Sequence, residues 1–204
     1  MHKDGPTSVL AEYGLAQTVA PAVEPLTLAE VKRHLRIDHT EDDVYLNDYL
    51  IPAAREYVED ETERQLITAT WAIKLPEFPA GGEPLRLPKP KLLTVSTITY
   101  YTSDVSTTWS STAYSVLTTE HQGVVEESTL DSWPGTDIRR DAVTVTYTAG
   151  YGAAASSVPL KIKQAMLLLI GNWYEHREAA DLTVAKQIEF GVSALLRHYH
   201  ARIV

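Results

Sequence analysis

The first helix of the chain is encoded by residues 26–38, which read LTLAEVKRHLRID. Thr27 and Glu30 have the spacing of a capping box. In this motif the threonine hydroxyl accepts a hydrogen bond from the Glu30 amide, and the glutamate carboxylate accepts one from the Thr27 amide. The apolar residues that follow return to one face every three or four positions, which is the period of a helix. The stretch therefore predicts a short amphipathic helix over residues 27–37.

The next segment is strongly acidic. Residues 41–64 contain nine acidic side chains and two arginines. Apolar residues recur in the segment at helical spacing, at Leu46, Leu50, Ala53, Ala54, Tyr57 and Val58. We predict a second helix over residues 41–64, with a kink at Pro52 because proline removes a backbone donor and clashes with the preceding turn. Its acidic surface has five candidate residues, namely Glu41, Asp42, Asp43, Glu59 and Asp60.

Residues 67–150 change to the period-two alternation of half-buried strands, with threonines on the outward face. Proline and glycine interrupt the alternation between the strands, as they do in loops. The pattern predicts an antiparallel β-sheet inserted between the second helix and a third. Trp109 and Trp133 lie in polar, loop-like sequence within this insertion. Two interpretations of them stay open, anchors at a protein interface or a small cluster beneath a loop.

The third helix is predicted over residues 158–178. Its body is apolar nearly all round, which is typical of a helix packed on several sides. With the first two helices it makes a helical bundle, so the predicted fold class is α+β, a helical bundle core carrying an antiparallel β-sheet insertion. We divide the chain into an arm, a domain over residues 26–180 and a tail.

The two ends of the chain are read differently from the domain. Residues 1–25 mix small, polar and proline residues, which is typical of a flexible arm that becomes ordered only on a partner. Residues 181–204 form a tail in which the sequence favours a last amphipathic helix. That helix needs a partner for its apolar face if the bundle is already closed. The candidate interface residues in it are Leu195, Leu196, Tyr199 and Ile203.

Composition excludes several classes of function. The formal net charge is −9 and the chain has no cysteine, so disulfides, thiolate metal sites and a cysteine nucleophile are excluded. The acidic surface should repel a phosphate backbone. The longest apolar run, residues 165–170, is far shorter than the roughly 18 residues of a membrane span. The N-terminal residues lack the apolar core of a signal peptide, so we expect a cytosolic protein.

The sequence assigns no catalytic, cofactor-binding or metal-binding residue. Glu175 and His176 are adjacent, so their side chains diverge on a helix, and a helix end is the favoured interpretation. His198 and His200 point about 200° apart on a helix at ~100° per residue. Glu126 and Glu127 would serve a glycosidase only if two carboxylates were held across a cleft at a fixed separation, which a sequence cannot show.

The order of these motifs resembles the phage head–tail connector, or adaptor, family, which is also found in prophages and gene transfer agents. The resemblance covers roughly residues 26–180. Beyond the opening segment it is carried by AAREYVE at 53–59, LITATW at 66–71, FPAGG at 78–82, LPKP at 87–90, DAVTVTYTAGYG at 141–152, VPLKIKQAMLLL at 158–169 and NWYEHRE at 172–178.

The resemblance implies a structural subunit of the virion neck, not an enzyme. Such a subunit docks on the portal ring as one copy of a dodecameric ring and contacts a stopper or another neck or tail protein. DNA is then only passing cargo, from which an acidic lumen would limit sticking. Assembly would take place in the host cytoplasm. The alternatives are a tail-side neck protein, either a stopper or a tail terminator, and a virion-associated hydrolase.

Overall fold

The computed structural model describes residues 14–119, 122–128, 132–177 and 190–201 of the 204-residue chain. The fold class is α+β, as the sequence predicts. The described residues divide into two compact units, a helical unit within residues 21–68 and 151–201, and a sheet unit within residues 14–20 and 69–150.

The helical unit begins with α1, Leu28–Leu35, and the capping box predicted at its start is confirmed. The Thr27 amide donates to Glu30 Oε2 at 2.8 Å, and the Glu30 amide donates to Thr27 Oγ1 at 3.2 Å. Further helices follow in the order α2 (Asp43–Tyr45), a π-helical turn (Leu46–Leu50), α3 (Ile51–Thr62), α4 (Leu160–Glu175) and α5 (residues 190–196).

Pro52, where the sequence predicts a kink, lies in the first turn of α3, directly after the π-helical turn. Leu50 and Ile51 keep right-handed helical dihedral angles, and the Ile51 amide bonds back five residues to the Leu46 carbonyl. Because proline lacks an N–H, the ladder must change at this position. A π-helical turn is the form that the change takes.

The core of the helical unit lies where α1, α3 and α4 meet. Val31, Ile162 and Met166 have no exposed surface there. The buried face of α3 follows the predicted stripe through Ala54 and Val58, whereas Tyr57 is 37% exposed. The core therefore uses the apolar periodicity that the sequence shows.

The sheet unit contains two antiparallel sheets, whereas the sequence predicts one. The strands are Gly14–Val19 (β1), Ala69–Leu75 (β2), Leu85–Leu87 (β3), Leu92–Thr102 (β4), Val105–Thr108 (β5), Tyr114–Thr118 (β6), Gly123–Glu127 (β7) and Val143–Ala149 (β8). The first sheet has the strand order β1-β2-β8-β4-β5 and the second has the order β3-β7-β6.

The two sheets approach each other closely at Gly123. A Cβ atom at this position would lie 2.4 Å from Leu92 Cδ2 and 2.5 Å from Leu92 Cβ. Only glycine allows strand β7 to come this near to strand β4. This close approach joins residues distant in sequence, and local alternation reveals neither the approach nor the division into two sheets.

Strand β1 contradicts the predicted flexible arm over residues 14–19. These residues pair antiparallel with β2, in a register that sets Leu15 opposite Ile73. Their side chains are almost all exposed. The strand therefore lacks the apolar alternation by which sequence patterns identify strands.

Candidate interaction surfaces

The C-terminal candidate residues pack on the helical unit of their own chain. Leu196 is completely buried in the core of that unit, and Leu195 and Tyr199 are partly buried against it. Two contacts tether the segment to the end of α3. The Ala201 amide donates to the Thr62 carbonyl at 2.9 Å, and Arg64 Nε donates to the Tyr199 carbonyl. Ile203 lies outside the described residues.

This packing corrects the premise of the C-terminal prediction. The prediction assumed an apolar face without a partner in the chain, but Val192 and Leu196 are 1% and 0% exposed on that face. The bundle is closed by α5 itself. The sequence shows the apolar period of the segment but not which surface it meets.

Trp109 and Trp133 belong to an aromatic cluster in the sheet unit. Trp133 stacks on Phe78 at a centroid distance of 4.9 Å and lies 4.9 Å from Trp109. The Trp133 indole N–H donates to the Glu83 carbonyl, and its amide donates to Glu127 Oε1. Of the two interpretations left open, the structure supports the cluster.

Glu59, one of the five acidic candidates, is buried. Its carboxylate accepts hydrogen bonds from Arg55 at 3.0 Å, from the Gln65 side chain at 2.6 Å and from the Leu66 amide at 2.9 Å. Arg55 also pairs with Glu24 at 2.9 Å. Burial alone would lower the pKa of Arg55, but Glu24 and Glu59 outweigh it, so the pKa of Arg55 is raised. This carboxylate stabilises the end of α3 and is not part of an acidic surface.

Asp42 and Asp43 are also engaged inside the helical unit. Asp42 accepts a hydrogen bond from the Tyr174 hydroxyl at 2.5 Å and another from Arg177 at 3.0 Å. These two bonds, with the Tyr174 bond the larger cause, hold the pKa of Asp42 below its usual value. Asp43 pairs with Lys32 at 2.5 Å. Both carboxylates therefore fasten the start of α2 to other helices.

Two of the five acidic candidates remain on the surface. Glu41 and Asp60 are exposed, and Glu41 lies 3.0 Å from His39 Nδ1. Further exposed acids of the same segment are Asp48, Glu56, Glu61 and Glu63. The acidic surface is therefore real, but it is made by different residues from most of those that the sequence suggests.

Two exposed apolar side chains in this segment escaped the sequence analysis. Val44 and Tyr49 are 65% and 64% exposed, and the ring of Tyr49 lies 6.3 Å from that of Tyr45. Both positions fall outside the apolar stripe of the second helix. An apolar residue that lies off the buried face of a helix is expected to be exposed, and this is the signal by which the sequence could have identified both.

Two further carboxylates, Glu30 and Asp141, are held in ion pairs. Burial would raise the pKa of Glu30, but its bonds from Lys163, at 2.7 Å, and from Thr27 together outweigh burial, so the pKa is lowered. The pKa of Asp141 is lowered by its bond from Arg139, at 2.7 Å. Glu126 and Glu127 are neighbours on one strand, so their side chains leave opposite faces. Glu30 and Asp141 therefore have the properties of ion-paired structural residues.

The described residues hold neither a metal-binding cluster nor a helix that could cross a membrane. Among the described residues, histidine, aspartate and glutamate side chains do not gather in any group suited to a metal ion. Within that part of the chain, each helix is too short or too polar to cross a membrane.

Comparison with known proteins identifies the family. Residues 25–129 match the model of the family described as "Phage gp6-like head-tail connector protein". The chain therefore belongs to this family of phage head-tail connector proteins. No protein of curated function matches the chain.

Solved structures with the same fold come from gene transfer agent (GTA) particles. A chain from the neck of the empty GTA particle, computed with C6 symmetry, is 26% identical. It has a TM-score of 0.77, over 94% of this chain and 97% of that one. A chain from the neck of the native particle, computed with C12 symmetry, is 26% identical with a TM-score of 0.73, over 94% and 97%. A chain from the native virion is also 26% identical, with a TM-score of 0.70 over 93% and 96%.

Proposed function

We propose that this chain is a structural subunit of the virion neck, which docks on the portal ring and links the DNA-filled capsid to the tail. One observation carries the proposal. The likeness to chains of a particle neck extends over 94% of this chain and 97% of the neck chain. It therefore includes residues of both units and not only a shared helical core. The role is mechanical, and no chemical step is assigned to it.

The subunit would act as one copy of a closed ring. The neck of the native GTA particle was computed with C12 symmetry, which supports twelve copies around the axis for the present chain. In such a ring each copy presents two different surfaces, one to each neighbour. A further surface would contact the portal, and another a stopper or other neck or tail protein.

The exposed acids of the helical unit fit a ring through which DNA passes. Glu41 and Asp60 are exposed and the chain has a net charge of −9, so the surface that carries these acids should repel phosphate. We place it toward the channel, where repulsion keeps DNA moving as cargo. Glu59 is buried, and Asp42 and Asp43 are partly buried in ion pairs, so these three carboxylates contribute less to this surface.

The test is co-sedimentation of the purified chain with tailless capsids that carry the portal, with isolated portal rings, and with isolated tails. We expect binding to the first two at the portal vertex and none to capsids that lack the portal. Binding to tails alone would overturn the portal assignment and make the chain a tail-side neck protein.

The matched control is the variant Leu196→Asp. It places a carboxylate at a completely buried position of the helical unit, where an unpaired charge is strongly destabilising. We expect this variant to lose capsid binding along with the fold. If it bound as well as the parent chain, the capture would be unspecific and the co-sedimentation would not support the proposal.

A further inference from the structure

Strand β1 is held in its sheet almost entirely by backbone pairing. It forms one edge of the five-stranded sheet and pairs only with β2. Of its six residues only Leu15 is partly buried. Val19, at its end, is 60% exposed. The strand therefore adds few packed side chains to the unit that it borders.

Strand β1 pairs with the edge of β2 in one defined register. The pairing runs in register from Gly14 opposite Lys74 to Ala16 opposite Ala72, with an irregularity between Gln17 and Val19. An uncovered edge strand presents free N–H and C=O groups to which another strand can add. A second copy of residues 14–19 would meet the same groups in the same register.

The segment that follows β1 has the character of a hinge. The segment is largely exposed, at Ala20, Ala22 and Val23. It leads to Glu24, whose carboxylate forms an ion pair with Arg55 at 2.9 Å. Pro21 lies within this segment, and the backbone bends at the next two residues, Ala22 and Val23. Strand β1 is therefore attached to a firmly anchored point through a short, exposed connection.

We propose that in the assembled ring β1 is exchanged between neighbours, so that residues 14–19 of each copy cover the β2 edge of the next. The occupant of that edge is a second copy of this chain. An exchanged β1 makes the same backbone hydrogen bonds to the β2 of a neighbour as it makes to the β2 of its own chain. Exchange therefore loses no strand pairing and adds a link between copies. The inference rests on the proposed function, because it requires neighbours arranged in a ring.

Cross-linking tests the exchange directly, because the chain has no cysteine of its own. Ala16 and Ala72 lie opposite each other in the register, where Cβ atoms are about 4.5–5.5 Å apart and thus near disulfide range. We would mix two single variants, Ala16→Cys and Ala72→Cys, bind them to portal-bearing capsids and oxidise. A mixed disulfide dimer is expected. Ala16→Cys mixed with Ser193→Cys, a position in the helical unit, is the control for random collision.

The double variant Ala16→Cys/Ala72→Cys gives the complementary result. On capsids it should form a ladder of linked chains on a non-reducing gel, whereas the dilute free chain should remain monomeric with an internal disulfide. Capsid-bound protein that yields only internally linked monomers would overturn the exchange and leave the proposed function standing. Failure to bind capsids, portal rings and tails would instead remove the proposed function, and the exchange with it.

Discussion

The two ends of the described chain meet the rest of the molecule in opposite ways. At the C-terminal end, α5 packs into the helical unit, where Leu196 is completely buried and Val192 is 1% exposed. At the N-terminal end, β1 is attached through backbone pairs and partly buries only Leu15. The first end is part of a core, and the second is an addition to an edge.

The difference shows what an apolar pattern can and cannot say. The period of α5 correctly indicates that one face must be covered, but it does not indicate whether the chain or a partner covers it. Strand β1 has hardly any buried side chain, so its sequence carries no such signal.

Removal of residues 190–204 is expected to lower the stability of the chain more than any of the substitutions below. The deletion removes the buried side chains of Val192 and Leu196 and the contacts that tether the segment to Thr62 and Arg64. The free energy of unfolding should fall by more than about 4 kcal/mol, since one buried leucine truncated to alanine costs about 2–5 kcal/mol. Urea unfolding measures the change. A truncated chain with an unchanged midpoint would mean that the segment is a docking arm after all.

The variant Glu59→Ala tests the anchor at the end of α3, beside the hinge that carries β1. It leaves Gln65 and the Leu66 amide without their acceptor and takes one partner from Arg55. We expect a loss of about 3–5 kcal/mol, as for other broken buried ion pairs. The control Glu61→Ala, at an exposed position of the same helix, should stay within about 0.5 kcal/mol of the parent. Equal effects for the two variants would show that Glu59 is not buried in solution.

A matched pair of leucines sharpens the contrast between the two ends. Leu196→Ala should cost about 2–5 kcal/mol because the site is fully buried. Leu15→Ala should cost about 1 kcal/mol or less, because this side chain buries only part of its surface. Thermal and urea unfolding of the two variants measure the difference. A larger loss for Leu15→Ala would contradict the view of β1 as an edge addition.

The smallest expected change in stability comes from the loss of the ion pair between Asp42 and Arg177, which follows α4. The pKa of Asp42 is lowered from its ordinary 3.8 by its bonds from Tyr174 and Arg177. Its stabilisation is therefore present above that value and is lost as the pH falls through the lowered pKa. Asp42→Asn should be less stable than the parent at pH 7, and the gap should close below about pH 4. Asp38→Asn, at an exposed position, is the control, and a gap that persisted at low pH would exclude this cause.

The local features of the fold could be predicted from sequence. The capping box of Thr27 and Glu30 is confirmed in atomic detail, and three predicted helical segments contain α1, α2 to α3, and α4. The division into two sheets could not be predicted, because local alternation shows neither which strands pair nor that Gly123 meets Leu92, thirty-one positions earlier in the chain. Contacts of this kind are set by the tertiary structure.

The candidate surfaces were predicted less well, because a sequence shows a charge but not its partner. Asp42 appears as an acidic surface residue until Arg177 is placed beside it. Glu59 appears so until Arg55, Gln65 and the Leu66 amide are found around it. Trp109 and Trp133 stayed open until their contact with Phe78 became visible. What the sequence did identify is the family, through motifs spread along the chain.

Imaging the portal vertex of tailless capsids after incubation with this chain tests its role as a neck subunit most directly. We expect a new ring of density below the portal, with twelve-fold symmetry and a shape that accommodates the helical and sheet units in each copy. Capsids with an unchanged portal vertex, together with a ring of this chain on isolated tails, would contradict the portal-docking assignment.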